Sequence, residues 1–218
     1  MEPAAIISGR RRKLIVADLH LGILKINQPE LVEKLIRIAK NVKADEIVIN
    51  GDLKHNIGVK KFEERIIEEF ITKLNDAGYQ KDDIYVIKGN HDGNIEKLIG
   101  AYSPRGIRIG KFGILHGHAY PSDDVLEAKT IIVAHTHPAI LLKDEVGGLK
   151  RRVWLEGVAE ILGDKRKIIV MPAFNELCAS TSVNIDKPAG VFFRKWNYFD
   201  AEVTLLDGVY LGRLKIFK

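Results

Sequence analysis

Five times within the first 137 residues, a short apolar run stops abruptly at a cluster of Asp, Asn or His. Lys13-Leu14-Ile15-Val16-Ala17 gives way to Asp18-Leu19-His20, and Glu46-Ile47-Val48-Ile49-Asn50 gives way to Gly51-Asp52. The run ending at Val86-Ile87-Lys88 meets Gly89-Asn90-His91-Asp92-Gly93. Gly113-Ile114-Leu115 meets His116-Gly117-His118, and Ile131-Ile132-Val133-Ala134 meets His135-Thr136-His137. A short apolar run bounded by such residues reads as a buried strand ending in a tight loop. In open α/β sheets, ligand chemistry gathers at the carboxyl ends of strands. The five ends are expected to converge on one site.

The segments between these strands support parallel pairing. Residues 1–12 read as a short arm leading into a first strand at about 13–17. Pro29 through Val42 has the apolar stripe of a helix, with Pro near its start. Residues 60–77 repeat the pattern with Phe62, Ile66, Ile67, Phe70, Ile71 and Leu74, and Gly78 supplies a C-terminal stop. The order β-α-β-α-β follows, and it argues for parallel strands joined by right-handed crossovers. Ile95–Gly100 is expected to form a short helix.

The second half is strand-rich. Ile107–Ile109 and Lys111–Leu115 read as an antiparallel pair turning at Gly110, and Ser122 as the cap of a short helix carrying Asp123 and Asp124. Ala139–Leu142 is expected to pair with Arg151–Leu155 around Gly147-Gly148. Lys167–Met171, Gly190–Phe193, Phe199–Leu206 and Val209–Ile216 read as further strands, with Asp207-Gly208 as a hairpin turn. The expected picture is two sheets packed face to face with helices outside, in one domain over residues 1–218.

Composition sets limits on function. The chain is 46% hydrophobic and 29% charged, as in an ordinary soluble globular protein, and it contains no apolar run of membrane-spanning length or opening signal segment. A single cysteine, Cys178, excludes an internal disulfide, suits a cytoplasmic location and reads as a buried structural thiol. The net charge of +5 favours polyanions weakly. Three basic runs, Arg10–Lys13, Lys150–Arg152 and Lys165–Lys167, read either as solvated strand edges or as part of a nucleic-acid path. The abundance of Ile, Lys, Glu and Arg hints at a thermophilic source.

All seven histidines fall in or within three residues of the strand-end clusters. A lone His is usually a satisfied core or surface residue, whereas this set points to a metal site. In order and spacing, Asp18-Leu19-His20, Gly51-Asp52, Gly89-Asn90-His91-Asp92, His116-Gly117-His118 and His135-Thr136-His137 resemble the motifs of the calcineurin-like metallophosphoesterase superfamily. Each motif alone is weak, but five in sequence are specific. The resemblance implies an α/β fold, a four-layer α-β-β-α sandwich with two mixed β-sheets, and two divalent metals at the top of the sheets. It implies that Asp18, His20 and His137 bind one metal, that Asn90, His116 and His135 bind the other, and that Asp52 bridges them. The last motif departs from the family pattern, with Ala134 where Gly is commoner.

The chemistry such a set serves follows from electrostatics. Two divalent cations ~3.5–4 Å apart repel strongly, so a shared carboxylate is required between them. Together they neutralise phosphate oxygens and lower the pKa of a bound water enough to supply hydroxide for in-line attack at phosphorus. Carboxylate, amide and imidazole ligands without thiolate favour Mn(II), with Fe, Zn, Ni and Co as alternatives.

The resemblance also implies roles beyond the metal ligands. His91 follows Asn90 and is expected to face the substrate, as a phosphate contact or a proton donor to the leaving group. His118 shares a face with His116 and is expected either to contact phosphate or to pack. Asp92 reads as a residue that tightens its loop. His55, in Gly51-Asp52-Leu53-Lys54-His55, is similar to the pattern of the DNA-repair nuclease branch and is expected to support or orient His91. Protein phosphatases carry Asp at that place followed by Arg-Gly, which this chain lacks. Asp18-Leu19-His20-Leu21-Gly22 and Met171-Pro172-Ala173-Phe174-Asn175 make the chain similar to the small archaeal and bacterial DNA-repair-associated phosphoesterases. No chemical role is expected for Asn175, and Pro172 reads as shaping a loop beside the site.

The leading expectation is a two-metal phosphodiesterase on nucleic acid, single-stranded DNA in repair, working beside a helicase or ligase. A phosphomonoesterase or cyclic-nucleotide phosphodiesterase on a small substrate is the second reading. A non-catalytic binding scaffold, as in the retromer subunit of this fold, is the third. It fits poorly, because every ligand type and His91 are present.

Overall fold

The computed structural model describes residues 2–58, 60–143, 145, 147–194 and 200–217. In chain order the elements are β1 (Ala5–Ile7), β2 (Lys13–Val16), α1 (Pro29–Asn41), β3 (Glu46–Asn50), α2 (Lys61–Asp76), β4 (Ile84–Ile87) and β5 (Ala101–Tyr102). These are followed by β6 (Ile107–Ile109), β7 (Phe112–Leu115), α3 (Asp123–Leu126), β8 (Thr130–Val133), β9 (Pro138–Lys143), β10 (Gly148–Ile161) and β11 (Asp164–Val170). The last three strands are β12 (Thr181–Ser182), β13 (Glu202–Leu205) and β14 (Tyr210–Arg213).

The first sheet has the order β1-β2-β3-β4-β5. Strands β2 to β5 are parallel, as the β-α-β-α-β reading requires. The N-terminal arm goes beyond expectation, because Ala5–Ile7 forms an antiparallel edge strand on β2. Its Ile7 is buried between the sheets, and that apolar anchor converts an arm into a strand.

Helices α1 and α2 cover the outer face of this sheet. Leu31, Val32, Leu35, Ile38 and Ala39 of α1, with Ile66, Ile67, Phe70 and Leu74 of α2, join Leu14, Val16, Ile47, Ile49 and Val86 in one core. Each fully buried aliphatic or Phe side chain contributes about 1.5–3 kcal/mol. At the end of α2, Gly78 (φ +94) lets its own N–H donate to the Asn75 carbonyl and lets Tyr79 N–H donate to the Leu74 carbonyl. This paired capping closes the helix where Gly78 was expected to stop it.

The second sheet runs β12-β9-β10-β11-β8-β7-β6, with β13 on β10 and β14 on β13. Strands β7, β8 and β11 are parallel neighbours, so β7 and β8 point their carboxyl ends the same way. Strand β10 is longer than the expected Arg151–Leu155. Its first part pairs with β9 from Gly148 to Arg152, and it then continues to Ile161 between β11 and β13.

Side chains alternate strictly between faces, as a pleated strand dictates. Ile15, Ala17, Val48 and Ile87 meet Ile114, Ile132, Ala134, Trp154 and Met171 between the two sheets. Leu115, Ile131, Val133, Val153, Leu155, Ile168 and Val170 face the opposite side of the second sheet. That outer face is covered thinly, by Val125 of the four-residue α3 and by Phe192, Phe193 and Leu214. The architecture is therefore the expected α/β sandwich of two mixed sheets, with a heavy helical layer, among the described residues, on the side of the first sheet. Ser122 stands at the cap position of α3 without a side-chain cap bond; its carbonyl accepts from Leu126 N–H at 3.1 Å.

Three local expectations change. Residues 190–193 do not form a strand: Gly190 takes φ +101, Val191 N–H donates to the Gly117 carbonyl, and Phe192–Arg194 closes a 3₁₀ turn. Residues 95–100 likewise tighten to a 3₁₀ turn over Ile95–Lys97. Strand β14 stops at Arg213 and passes into a 3₁₀ turn over Leu214–Phe217. The Asp207-Gly208 hairpin joins β13 to β14 as expected, with Gly208 at φ +92. Phe199, the expected start of the preceding strand, lies outside the described residues. Among the described residues no helix is long and apolar enough to cross a membrane.

Candidate metal centre

Asp18 and His20 follow β2, Asp52 follows β3, and Asn90 and His91 follow β4. His116 follows β7, and His135 and His137 follow β8. The parallel sense of these strands within each sheet, with the packing of the two sheets, brings all five ends to one edge of the sandwich. There His20, Asp52, His55, Asn90, His91, His135 and His137 wall a pocket of about 260 Å³, together with Ile23, Cys178 and Ala179. Asp18 and His116 are fully buried beside them. His118 is half-buried, with its ring centroid 5.3 Å from that of His116 and 6.0 Å from that of His135.

The backbone is unusual at these positions. Asp18 (φ 57), His20 (φ 44), Asp52 (φ 51), His135 (φ 70) and His137 (φ 45) all lie in the left-handed region. Each such non-glycine residue costs of order 1–3 kcal/mol, and such strain clusters where function demands a geometry. Close approach constrains two glycines as well. A side chain on Gly51 would collide with the His116 imidazole, and one on Gly89 would collide with the Asp52 carboxylate. Ala134, in contrast, places its methyl in the inter-sheet core, so the departure from Gly there is accommodated.

Asp18, His20 and His137 present atoms all within 4.8 Å of one another, and so do Asp52, His116 and His135; His20, His55 and His91 form a third such group, which shares His20 with the first. The Asn90 side-chain oxygen lies 3.3 Å from His116 Nε2 and so adjoins the second group. Asp52 Oδ2 is 3.4 Å from His20 Nε2 and 3.3 Å from His116 Nε2, so it faces the first two groups at once. Main-chain carbonyls orient the rings: His116 Nδ1 donates to Asn50 O at 2.9 Å, and His137 Nδ1 donates to Ala179 O at 2.7 Å. With Nδ1 engaged, Nε2 is left to face the carboxylates, as metal-ligating histidines require.

The site fits a pair of divalent cations by its unmet bonding capacity. Asp18 Oδ1 and His137 Nε2 are both buried without a hydrogen-bond partner, although they stand 3.0 Å apart. Orphaned buried polar atoms of this kind are costly unless a ligand satisfies them. The donors are oxygens and imidazole nitrogens. The Cys178 thiol is not among them, because burial pushes its pKa up and its sulfur approaches the Asp18 carbonyl at 3.7 Å. Cys178 is buried, as its reading as a structural thiol has it, and it also forms part of the pocket wall.

Protonation follows the same geometry. Burial pushes His20 down to about 4 despite Asp52 and Asp18, and burial with the His116 charge pushes His135 down to about 4. Burial also opposes charge on His116, but Asp18 and Asp52 outweigh it and hold this imidazole up to about 9. Burial opposes ionisation of Asp52, yet His116 and His20 keep its carboxyl well below the usual range.

The remaining candidates divide clearly. His91 donates its main-chain N–H to Asp52 Oδ1 at 2.8 Å and its ring Nδ1–H to the His55 carbonyl. The His55 ring stacks on His91 at 5.5 Å and sets Nδ1 at 3.3 Å from His20 Nδ1. Asp92 is fully buried and accepts from the main-chain N–H groups of Leu53, Lys54 and Gly89, as a loop-tightening residue should. Asn175 is structural too, donating to Leu19 O and Gln28 Oε1. Lys54, to which the sequence drew no attention, is fully buried beneath this loop.

The basic runs separate by position. Arg10–Lys13 leads into the amino end of β2, opposite Asp18, with Arg11 paired to Glu46 and Asp83 and Lys13 to Glu46. Lys167 pairs with Thr130 at the amino end of β8, which is again the far edge. Lys150 and Arg152 instead hold the loop that borders the pocket, through the carbonyls of Ser180 and Ala173 and the carboxylate of Glu176.

A two-sheet sandwich with Asp, Asn and His converging from parallel strand ends defines a metallophosphoesterase. The calcineurin-like phosphoesterase model matches residues 11–175, spanning every candidate metal ligand and His55, His91 and His118, and the chain belongs to that family. No protein of curated function matches the chain. Among solved structures, the nuclease MPE of Pseudomonas putida is similar at 17% identity and a TM-score of 0.61, over 95% of this chain and 100% of that one. Yfce, a phosphoesterase from E. coli, is 14% identical with a TM-score of 0.47, over 92% of this chain and 97% of that one.

Proposed function

We propose that the chain is a two-metal phosphodiesterase that cleaves single-stranded DNA. Asp18, His20 and His137 would hold one cation and Asn90, His116 and His135 the other, with Asp52 placed between the two groups. The oxygen and imidazole donors favour Mn(II). When bound, the cations supply charge neutralisation at phosphate oxygens and a water of lowered pKa. The chain's own residues do the rest. His91, with its Nδ1–H tied to the His55 carbonyl, turns Nε2 to the pocket; as the imidazolium it carries a second proton there, which it donates to a phosphate oxygen or passes to the departing sugar oxygen, leaving the neutral Nδ1–H ring. Asp52 aligns His91 by accepting its main-chain N–H.

The observation that carries the substrate class is the pocket's size and rim. At about 260 Å³ it falls below the ~300–1,000 Å³ of pockets that enclose a whole small molecule. A phosphate and its immediate neighbours fit, and the rest of the substrate must cross the surface. Exposed Leu24, Ile57 and Leu177 stand within two residues of the wall residues Ile23, His55 and Cys178, and offer apolar contact to unstacked bases. Lys150 and Arg152 lie on the same side and offer positive charge.

End-labelled single-stranded, duplex and hairpin DNA incubated with Mn(II)-loaded protein, beside a nitrophenyl phosphomonoester and diester, tests this reading. Cleavage of single strands ahead of duplex is expected, with hydrolysis of the diester above the monoester. Turnover confined to the monoester would overturn it. Asp52→Ala should abolish turnover, and full activity in that variant would remove the shared-carboxylate assignment.

A further inference from the structure

The fully buried Lys54 performs no task in the reading above, and burying an ammonium costs several kcal/mol unless it is fully hydrogen-bonded. Its three protons go to main-chain carbonyls, those of Asn56, Ile57 (2.8 Å) and His91. Those carbonyls belong to two different loops, one carrying His55 and the other carrying His91. The bond is reciprocated one residue further on. The Asp92 carboxylate accepts from the main-chain N–H of Lys54 at 3.2 Å and of Leu53 at 3.3 Å. Side chain 54 thus holds main chain 91, and side chain 92 holds main chain 54. The two side chains form a crossed clasp between the loops.

What the clasp encloses is the side-chain bond that aims the His91 ring. The His91 Nδ1–H donates to the carbonyl of His55, the residue after Lys54, so the direction of Nε2 depends on the two loops keeping their spacing. Glu63 of α2 braces the same loop by accepting from the Asn56 side chain. A lysine that merely filled space would be replaceable by an apolar residue of equal length. This one instead connects groups that bear on the orientation of a single imidazole.

We propose that Lys54 is a positioning residue of the phosphoester-hydrolysing site: with Asp92 it locks the 53–57 and 89–92 loops together and so sets the direction in which His91 presents Nε2 to substrate. This rests on the hydrolytic role given to His91 above.

Lys54→Met in the full chain, loaded with Mn(II), is the test, with metal content and melting temperature measured alongside. Two metals should remain and KM should change little. A displacement of about 1 Å at a reacting group can cost ~10²-fold in rate, so a kcat loss of that order is expected. The loss should be larger for DNA than for a nitrophenyl diester. In a His91→Ala background, Lys54→Met should cost nothing more, because the clasp then has no imidazole to aim. An equal loss in both backgrounds, or an unchanged kcat, would overturn the proposal and leave Lys54 a structural residue. If Lys54→Met does not fold, Asp92→Asn probes the other half of the clasp and should show the same coupling to His91. Nitrogen-15 imidazole spectra of the neutral ring, recorded at alkaline pH, should show His91 as the Nδ1–H tautomer in the native protein and as a tautomer mixture in either variant. Should His91→Ala itself keep full turnover, the role of His91 fails, while those spectra still decide whether the clasp exists.

Discussion

The Nδ1 atoms of His20 and His55 stand 3.3 Å apart, close enough that one imidazole must donate to the other. His20 turns its Nε2 toward Asp52, so a metal-ligating His20 carries its proton on Nδ1 and gives it to His55. His55 therefore works in two directions. Its ring sets the tautomer of His20, and its carbonyl, which no substitution of the side chain removes, orients His91. His55 was expected to support or orient His91; its ring stacks on His91 at 5.5 Å and its carbonyl holds the His91 Nδ1–H.

His55→Ala is consequently predicted to weaken metal binding at the Asp18, His20 and His137 group by about 10–100-fold, the usual cost of losing a partner behind a ligating histidine. Competition of Mn(II) against a chelator measures it. Unchanged affinity with lower turnover would instead place the His55 ring against substrate.

His91→Ala should retain both metals and lose about 10²–10⁴-fold in turnover. A nitrophenolate leaves without a proton, whereas a DNA sugar alkoxide needs one, so DNA cleavage should suffer more than aryl diester hydrolysis. Equal losses on both substrates would assign His91 to phosphate binding, and loss of a metal ion would make it a ligand.

The metal-free protein should show a stability maximum near neutral pH. His116 is raised from 6.5 to about 9 in the folded chain, so its stabilising contribution is complete below 6.5 and disappears as pH rises through 9. His20 and His135 are lowered to about 4, so their contribution is present above 6.5 and is lost as pH falls toward 4. Melting temperature of chelator-treated protein should thus decline on both sides. Metal binding must displace the His116 proton, so the alkaline decline should vanish in loaded protein. A flat metal-free profile between pH 6.5 and 9 would contradict the charged pairing of His116 with Asp18 and Asp52.

Neutralising Lys150, Arg151 and Arg152 together should weaken binding of a long oligonucleotide and flatten its salt dependence by about one unit of slope for each phosphate no longer neutralised. Turnover of a small aryl diester should be nearly unaffected. The same change at Arg10–Lys13 should leave the salt slope alone, because that run lies at the far end of β2 and its charges are engaged by Glu46 and Asp83. A steeper effect at Arg10–Lys13 than at Lys150–Arg152 would reverse the placement of the nucleic-acid path.

Much of this site was legible in sequence because its signal is local. An apolar run stopping at Asp18, Asp52, Asn90, His116 or His135 states both a strand and what stands at its end. Parallel pairing gathers the first three ends in one sheet and the last two in the other, and the packing of the two sheets brings the sets together. The amphipathic stripes of α1 and α2 and the stop at Gly78 were equally local. Residues 190–193 misled for the same reason. Val191, Phe192 and Phe193 read as a strand, but the N–H of Val191 is taken by Gly117, 74 positions earlier in the chain.

Tertiary structure alone decided what orients the ligands. Asn50, Ala179 and His55 contribute carbonyl oxygens that aim His116, His137 and His91. A carbonyl belongs to every residue, so nothing in the side-chain sequence marks Asn50 or Ala179 for this, and His55 was marked by its ring and not by its carbonyl. Lys54 followed the same rule. Two positions after a ligand, a lysine reads as solvated charge, and only the arrival of the His91 loop adds to the nearby Asn56 and Ile57 carbonyls the third acceptor that completes its hydrogen bonding. Side-chain type could say which groups bind a cation, whereas main-chain partners exist only once distant segments have been brought within hydrogen-bonding distance.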